Sequence, residues 1–430
     1  MRKPLHRLPT LALALMATFP LQAQKARTAS SRKTTPKTEV TDAQSAQQLI
    51  STYRFERAAA QLQREIAAAQ RAGHSTAMLE ADLQRANLGQ DMLRGTEKVM
   101  FVDSFQVARA NALSAIRLSQ EAGRLVSLAD LKGDISSTAT DFGTTAFINE
   151  LGDRVVFSAT DSVGKGKALW MAYRNGTTWS GAAPMEGLDD DTADRDFPFM
   201  MADGSTLYFA AQGEESLGGY DIYVTRYDAA THRYLKPENV GMPFNSPAND
   251  YLMGVDETTG LGFFVTDRRQ PVDSVCVYVF VPNASREVYE LTAANEREVI
   301  EAAEISSIAQ TQTDPDALRA ARERMASARQ TAETGAKARL YVINDTKVYS
   351  SLQQFRSEAA RRIAEQADAV ADELESALAQ YDRLQQEAAQ AGSHRTQQLN
   401  ASLAELSQRI PQLRTSLQQL HVNMRKAEVK

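Results

Sequence analysis

One short pattern recurs three times in the middle of the chain and limits the fold more than any other feature. Gly152-Asp153 precedes Val155-Val156-Phe157. Asp203-Gly204 precedes Thr206-Leu207-Tyr208-Phe209, and Gly260 precedes Leu261-Gly262-Phe263-Phe264-Val265. A second apolar run follows each, at 168–173, 220–224 and 275–280. Phe157, Phe209 and Phe264 are spaced by 52 and 55 residues; Trp170, Tyr223 and Tyr278 are spaced by 53 and 55. Aromatic and β-branched runs punctuated by Gly, Asn and Asp read as a meander of antiparallel strands joined by tight turns. Self-similarity at roughly 40–50 residues suggests propeller units of about four strands each.

The middle copy carries a family resemblance. Pro198-Phe199, Asp203-Gly204, Leu207-Tyr208-Phe209, Gly218-Gly219-Tyr220-Asp221-Ile222-Tyr223 and Pro237-Glu238-Asn239-Val240-Gly241-Met242-Pro243-Phe244-Asn245-Ser246 resemble the WD-like β-propeller repeats of Bacteroidetes envelope proteins. That family is periplasmic, of the Tol-associated propeller type, and its repeats are often joined to tetratricopeptide-like helices. In the first copy Asn175-Gly176-Thr177-Thr178-Trp179-Ser180 fits the loop between units; the third copy has lost Asp-Gly and Gly-Gly-x-Asp. The resemblance implies a scaffold and assigns no function by itself. Residues 131–284 hold three such units, short of the roughly four to eight of a closed ring. The expected form is a partial propeller, either open or completed by strands from elsewhere. Leu340-Tyr341-Val342-Ile343 is the one later strand candidate.

The start of the chain bears on where it works. Residues 1–23 read as a secretory signal peptide, with Arg2, Lys3 and Arg7, an apolar run from Leu8 to Leu21, and a small-residue cleavage site. The run is broken by Pro9 and Pro20 and falls short of the ~20 residues of a membrane-spanning helix. Removing it takes away three basic and no acidic side chains, so the formal charge goes from −6 to −9. An acidic mature chain argues against nucleic acid as a partner. Residues 24–40, rich in Lys, Arg, Ser and Thr, read as a disordered linker. Cys276, the only cysteine, has no intramolecular partner and reads as a core residue of a strand, with a reactive thiol as the alternative.

Helices flank the repeats. Residues 41–130 read as helical and tetratricopeptide-like with short strands. Asp42 is the expected first cap, Gly73 a stop, and Leu62, Ile66, Met78, Leu79, Leu83, Ala86 and Leu93 the apolar face. Lys98 to Asp103 reads as a strand, residues 107–119 as a short helix with Leu113 and Ile116 facing inward, and Arg124 to Leu128 as the first strand of the β region. Residues 285–349 read as helices plus a strand packing on the repeats. Residues 350–430 read as a coiled-coil hairpin. Ile363, Ala367, Val370, Leu374, Ala377, Tyr381, Leu384 and Ala388 alternate by four and three, as do Leu399, Leu403, Leu406, Ile410, Leu413, Leu417, Leu420 and Met424. Ala391-Gly392-Ser393 can turn the chain, and Pro411 is expected to bend or interrupt the second helix. Whether the seam pairs within the chain or between copies stays open. The fold class is therefore α+β: helical start, about three four-stranded units, helical hairpin. The hairpin is expected to be dispensable for folding.

The search for chemistry is mostly negative. His74, His232, His394 and His421 show no metal-ligand spacing, and there is no nucleophile elbow, phosphate loop or dinucleotide fingerprint. Asp189, Asp190, Asp191, Asp194 and Asp196 fall within eight residues. Asp189, Asp191 and Asp194 are a candidate Ca²⁺ set, but the spacing is not that of an EF-hand, and an acidic solvated loop between units is the preferred reading. The expectation is an exported, non-enzymatic interaction scaffold of the periplasm or the periplasmic face of the outer membrane. It needs no cofactor, serves assembly or upkeep of an outer-membrane or secretion machine, and has no transmembrane span. Partners would be other envelope proteins, met through the repeats or the coiled coil, with a homo-oligomer through the coiled coil also open. The rival is a glycan- or peptidoglycan-binding module, for which Tyr173, Trp179 and Tyr234 would be exposed contact residues.

Overall fold

The computed structural model describes residues 44–429 except 132–134, 136, 151, 161–165, 176–177, 189–193, 214, 335–340, 345–346, 350 and 391–392. The expected signal and linker, the Asp42 cap, Asp189 and Asp191, and the Ala391-Gly392 turn lie outside the described residues. The fold is α+β, with several antiparallel sheets and helices on both sides of them in sequence.

The described residues open on three helices, α1 (Ala46–Ser51), α2 (Phe55–Arg71) and α3 (Ala77–Arg94). Ser45 starts the first through a capping box: its hydroxyl accepts from the Gln48 amide while its own amide donates to the Gln48 side chain. The chain leaves α2 two residues before Gly73, whose φ of 70° lies in the region glycine favours. Leu62 and Ala86 are fully buried as the pattern predicts, but Met78 is 80% exposed. It sits one position off the stripe that Leu79, Leu83 and Ala86 turn inward.

The β region follows in chain order. β1 (Met100–Ala108) leads through a 3₁₀ turn to α4 (Ala112–Ala115), then β2 (Arg124–Ser127) and α5 (Leu128–Leu131). Helix therefore covers only about half of the expected 107–119, because Ile116 already has extended backbone. Next come β3 (Thr145–Ile148), β4 (Arg154–Ala159), β5 (Ala168–Asn175) and β6 (Thr178–Pro184), then β7 (Asp194–Met200), β8 (Thr206–Gln212) and β9 (Asp221–Asp228). β10 (Arg233–Tyr234) and β11 (Glu238–Asn239) are short; β12 (Asp250–Asp256), β13 (Leu261–Thr266) and β14 (Ser274–Val281) complete the region. The strands form three antiparallel sheets, ordered β2-β3-β4-β5-β6, β7-β8-β9 with β10 and β11 beyond β9, and β12-β13-β14-β1. Each repeat in the sequence is thus one sheet.

The third sheet takes its outer strand from upstream. β1 pairs with β14 along Met100↔Val281 to Ala108↔Ser274. The expected donor, the strand at 340–343, pairs elsewhere: β15 (Tyr341–Asn344) and β16 (Lys347–Tyr349) make their own hairpin.

The sheets share one core. β7 lies against β3, β4 and β5, and β12 against β7, β8 and β9. Phe199, fully buried on β7, meets Phe147 of the first sheet at 5.1 Å and Phe263 of the third at 5.4 Å, both edge-on. Gly254 makes room for it, since a Cβ there would lie 2.5 Å from the ring. Carboxylates add polar ties between segments. Asp196 accepts the amide and hydroxyl of Thr144 at 2.9 Å each, and Asp256 takes those of Ser119 at 2.7 and 2.9 Å.

The Gly218-Gly219-x-Asp221 and Pro237–Ser246 motifs of the middle copy explain each other. Asp221, fully buried, accepts from the amides of Leu217 and Gly218 and from Asn239 Nδ2. Asn245 stands in for a strand: its side-chain amide both accepts from Ile222 N (2.7 Å) and donates to Ile222 O (2.8 Å). At Gly218 a Cβ would lie 1.8 Å from the Ala248 carbonyl oxygen, so only glycine fits.

Helices from both ends of the chain meet over the sheets. α6 (Glu296–Glu304) brings Val299, Ile300 and Ala303 into one cluster with Leu49, Phe55, Leu62 and Leu93 of α1–α3 and with Leu217 and Met242 of the middle sheet. The helices that flank the repeats on either side in sequence therefore form a single cluster. Arg268 fastens α6 down. Buried, it donates to the carbonyls of Pro243, Phe244 and Ala303 and to the Asp250 carboxylate at 2.8 Å. Its neighbour Arg269 takes the Glu304 and Ile305 carbonyls at the helix end. α7 (Pro315–Thr334) lays Ala321, Leu318 and Met325 on Leu261, Val279 and Val281 of the third sheet.

The chain ends in α8 (Glu358–Gln390) and α9 (Ser393–Val429), paired along the heptad seam. Ala367, Leu374, Ala377, Tyr381, Leu399, Leu406, Ile410 and Met424 are buried. The seam thus pairs within the chain. Helix α9 runs unbroken through Pro411, which lies on its exposed side. At the base, Glu428 accepts from Tyr349 Oη and from the amides of Arg356 and Ser357, so one helix's end supplies the anion for the other's start.

Candidate interaction face

The first strands of the second and third sheets begin close together, and their opening residues build an aromatic face. Asp196 accepts from the Phe197 amide at 2.8 Å, and the β7–β8 register slips between Asp196 and Phe199. Phe197 takes a φ of 56°, a strained conformation for a bulky residue, and the bulge re-aims its ring. That ring stands edge-on to Tyr220 at 5.6 Å and to Tyr251 at 5.3 Å, and the two tyrosines lie 6.1 Å apart. Phe197 and Tyr220 are half-buried; Tyr251 is buried.

Charged groups rim this trio. The Arg109 guanidinium lies 5.2 Å over the Tyr251 ring and 3.5 Å from Asp267, which accepts the Tyr251 hydroxyl at 2.7 Å. Lys167 donates its amide to Asp194 at 2.9 Å and holds its ammonium 3.1 Å from Asp141. That hydrogen bond to Asp141 pushes the Lys167 pKa up. Burial, and then the nearby Asp196 and Asp194, push Tyr220 up to about 12, so it stays a neutral hydroxyl. The Tyr220 hydroxyl has no hydrogen-bond partner among the described residues.

The residues expected to carry function are scattered. Tyr173 on β5 is 54% exposed, as expected of a contact residue. Trp179 and Tyr234 are not exposed, at 5% and 9%. Trp179 is covered because Ile135 bridges to it and Leu128, Leu131, Ala139 and Phe142 pack into the same cluster on that face of the first sheet. Tyr234 is covered by the loop at 185–188: its amide donates to Glu186, and its ring stacks edge-on with Tyr227. Asp194 binds the Lys167 amide. Among the described residues no group of three or more His, Cys, Asp or Glu is placed to hold a metal ion. Cys276 is buried in the third sheet, and burial pushes its thiol up.

Phe197, Tyr220 and Tyr251 were not singled out by sequence, yet a signal exists. An Asp-aromatic pair recurs just before β3, early in β7 and at the start of β12, at Asp141-Phe142, Asp196-Phe197 and Asp250-Tyr251, spaced by 55 and 54 residues. Compared with known proteins, the chain matches no family model, no curated protein and no solved structure. No helix among the described residues is long and apolar enough to cross a membrane.

Proposed function

We propose that the chain is an exported, non-catalytic interaction scaffold of the cell envelope, serving the assembly or maintenance of an outer-membrane or secretion complex. Three consecutive antiparallel sheets, one per repeat and stacked in order, support reading them as units of a partial propeller of the WD-like envelope type. The aromatic face carries the interaction reading. Its rings touch, which fills the space between them, so the surface suits apposition to another protein better than enclosure of a small molecule. Buried carboxylates engaged in holding strands, such as Asp196 and Asp221, support a non-catalytic role. The signal-like start and the acidic mature charge support a periplasmic location, on the outer-membrane side or free. Other envelope proteins are the partners. Because α8 and α9 consume the heptad seam internally, any homo-oligomer would form outside it. The test is capture of proteins from envelope extract by the mature chain and by Tyr220→Ala, with melting curves as a folding control. Selective loss of captured partners in a normally folded variant supports the reading; an unchanged set moves the surface elsewhere.

A second reading, a glycan- or peptidoglycan-binding module, is favoured by the Tyr220 hydroxyl, which has no hydrogen-bond partner among the described residues and sits near Asp194 on a face that Arg109 also borders. Aromatic planes edged by such groups suit sugar rings. Titration with peptidoglycan fragments, followed by tyrosine fluorescence, separates the two readings.

A further inference from the structure

The α8–α9 hairpin and β15–β16 have a core of their own. Tyr341, Ile343, Tyr349, Ala364 and Met424 form one cluster, and Leu374, Ala377, Tyr381, Leu406 and Ile410 a second. Neither cluster includes a residue of the three sheets. What joins this arm to the first sheet is polar. Arg414 of α9 pairs with Glu150 in the β3–β4 turn, and Asp382 of α8 lies 3.3 Å from Arg174 of β5. The Tyr381 hydroxyl faces Asp153, and burial with that carboxylate raises its pKa.

The dock is also incompletely satisfied. Arg414 Nη2 and Gln385 Oε1 are buried there with no hydrogen-bond partner among the described residues. A buried polar atom without a partner costs stability in the docked state and is solvated as soon as the surfaces part. Ion pairs are screened by salt, whereas an apolar seam is not. A polar, unevenly paired contact between two separately cored bodies is the kind that opens.

We propose that the arm is a reversible strap. Docked, it shields Glu150, Asp153 and Arg174 beside the exposed Tyr173. Released, it swings off the first sheet as a rigid body, with its seam intact and the sheet stack folded. The Arg414–Glu150 and Arg174–Asp382 pairs set the balance between the two forms.

The experiment places spin labels on the full-length mature chain at Ala183→Cys on β6 and Gln386→Cys on α8, both exposed positions, and records the distance distribution. In low salt a single short distance is expected. In 1 M NaCl, and in Glu150→Arg at low salt, a second, longer population should rise at least severalfold. Adding Arg414→Glu to Glu150→Arg should restore the short distance, which a merely misfolded variant would not do. Circular dichroism should show full helicity throughout. One unchanged distance in high salt and in Glu150→Arg would show a fixed joint and overturn the proposal. So would failure of the double exchange to restore docking, or loss of helicity on release.

Discussion

The sheet stack and the α8–α9 arm are held by different means. In the stack, side chains from separate sheets interdigitate, and the same residues belong to more than one contact. Phe199 touches both neighbouring sheets, and Arg268 binds loop, strand and helix at once. In the middle of the arm, Leu374 and Ala377 of one helix meet Leu406 and Ile410 of the other, turn after turn. Cooperativity follows from the first arrangement and local independence from the second. Damage to the stack should therefore spread, and damage to the arm should stay there.

The largest effect is expected at the shared ring. Phe199→Ala should cost about 3–5 kcal/mol, the usual range for an emptied buried phenylalanine, and should lower all three sheets together. Urea unfolding followed by tryptophan fluorescence and by amide-hydrogen exchange in each of the other two sheets checks this. Trp170 and Trp179 both report the first sheet, so non-coincident curves would mean that the sheets unfold separately.

Next comes pH. Burial pushes Asp221 up to about 7, above its unfolded value near 4. Its folded form therefore holds the proton more tightly. That contribution is full below about pH 4, fades as pH rises, and is gone above about pH 7; at most it is about 4 kcal/mol over that window. The melting temperature should fall from pH 5 to pH 8, and Asp221→Asn should flatten the slope. An unchanged slope in that variant would assign the dependence to another carboxyl, with Asp196, also raised by burial, the first to examine.

Ile410→Ala empties a fully buried seam position and should cost about 2–4 kcal/mol. The loss should appear only in the arm's transition, measured by calorimetry as a shift of one peak while the stack's peak stays in place. A common shift would erase the contrast between the two regions. The smallest effect is expected at Arg409 and Glu373, an ion pair on the arm's exposed side. Glu373→Ala should leave both calorimetric peaks unmoved within error.

The contrast also explains what could be read from sequence. The heptad seam was legible through its middle, at Leu374, Ala377, Tyr381, Leu406 and Ile410, because its period is local; near the start of α8 the fully buried Ala360 and Ala364 lie off the pattern. The sheet strands were legible for the same reason, with Phe209 buried and Tyr208 half-exposed on alternate faces. Contacts between distant segments were not. Nothing in Met100–Ala108 announces β14 as its partner. Trp179 and Tyr234 look like contact aromatics until Ile135 and the 185–188 loop are laid over them. The aromatic face was half-written in the repeated Asp-aromatic pair, but only the bulge at Phe197 brings its ring against Tyr220 and Tyr251. Of the three aromatics expected to be exposed, Tyr173 alone is.

The pairing of β1 with β14 also sets an order of events. About 170 residues lie between these two strands, so β1 emerges long before its partner exists, whether the chain is leaving a ribosome or a translocation channel. Through that interval β1 has an edge of bare amides and carbonyls and two aromatic rings, Phe101 and Phe105, with no sheet to join. Such an edge invites pairing with the wrong strand. Distant pairing is also slow, because the closing of a long loop comes before its reward. The strand made first is the last to find its place, and the chain is most exposed to error while it waits.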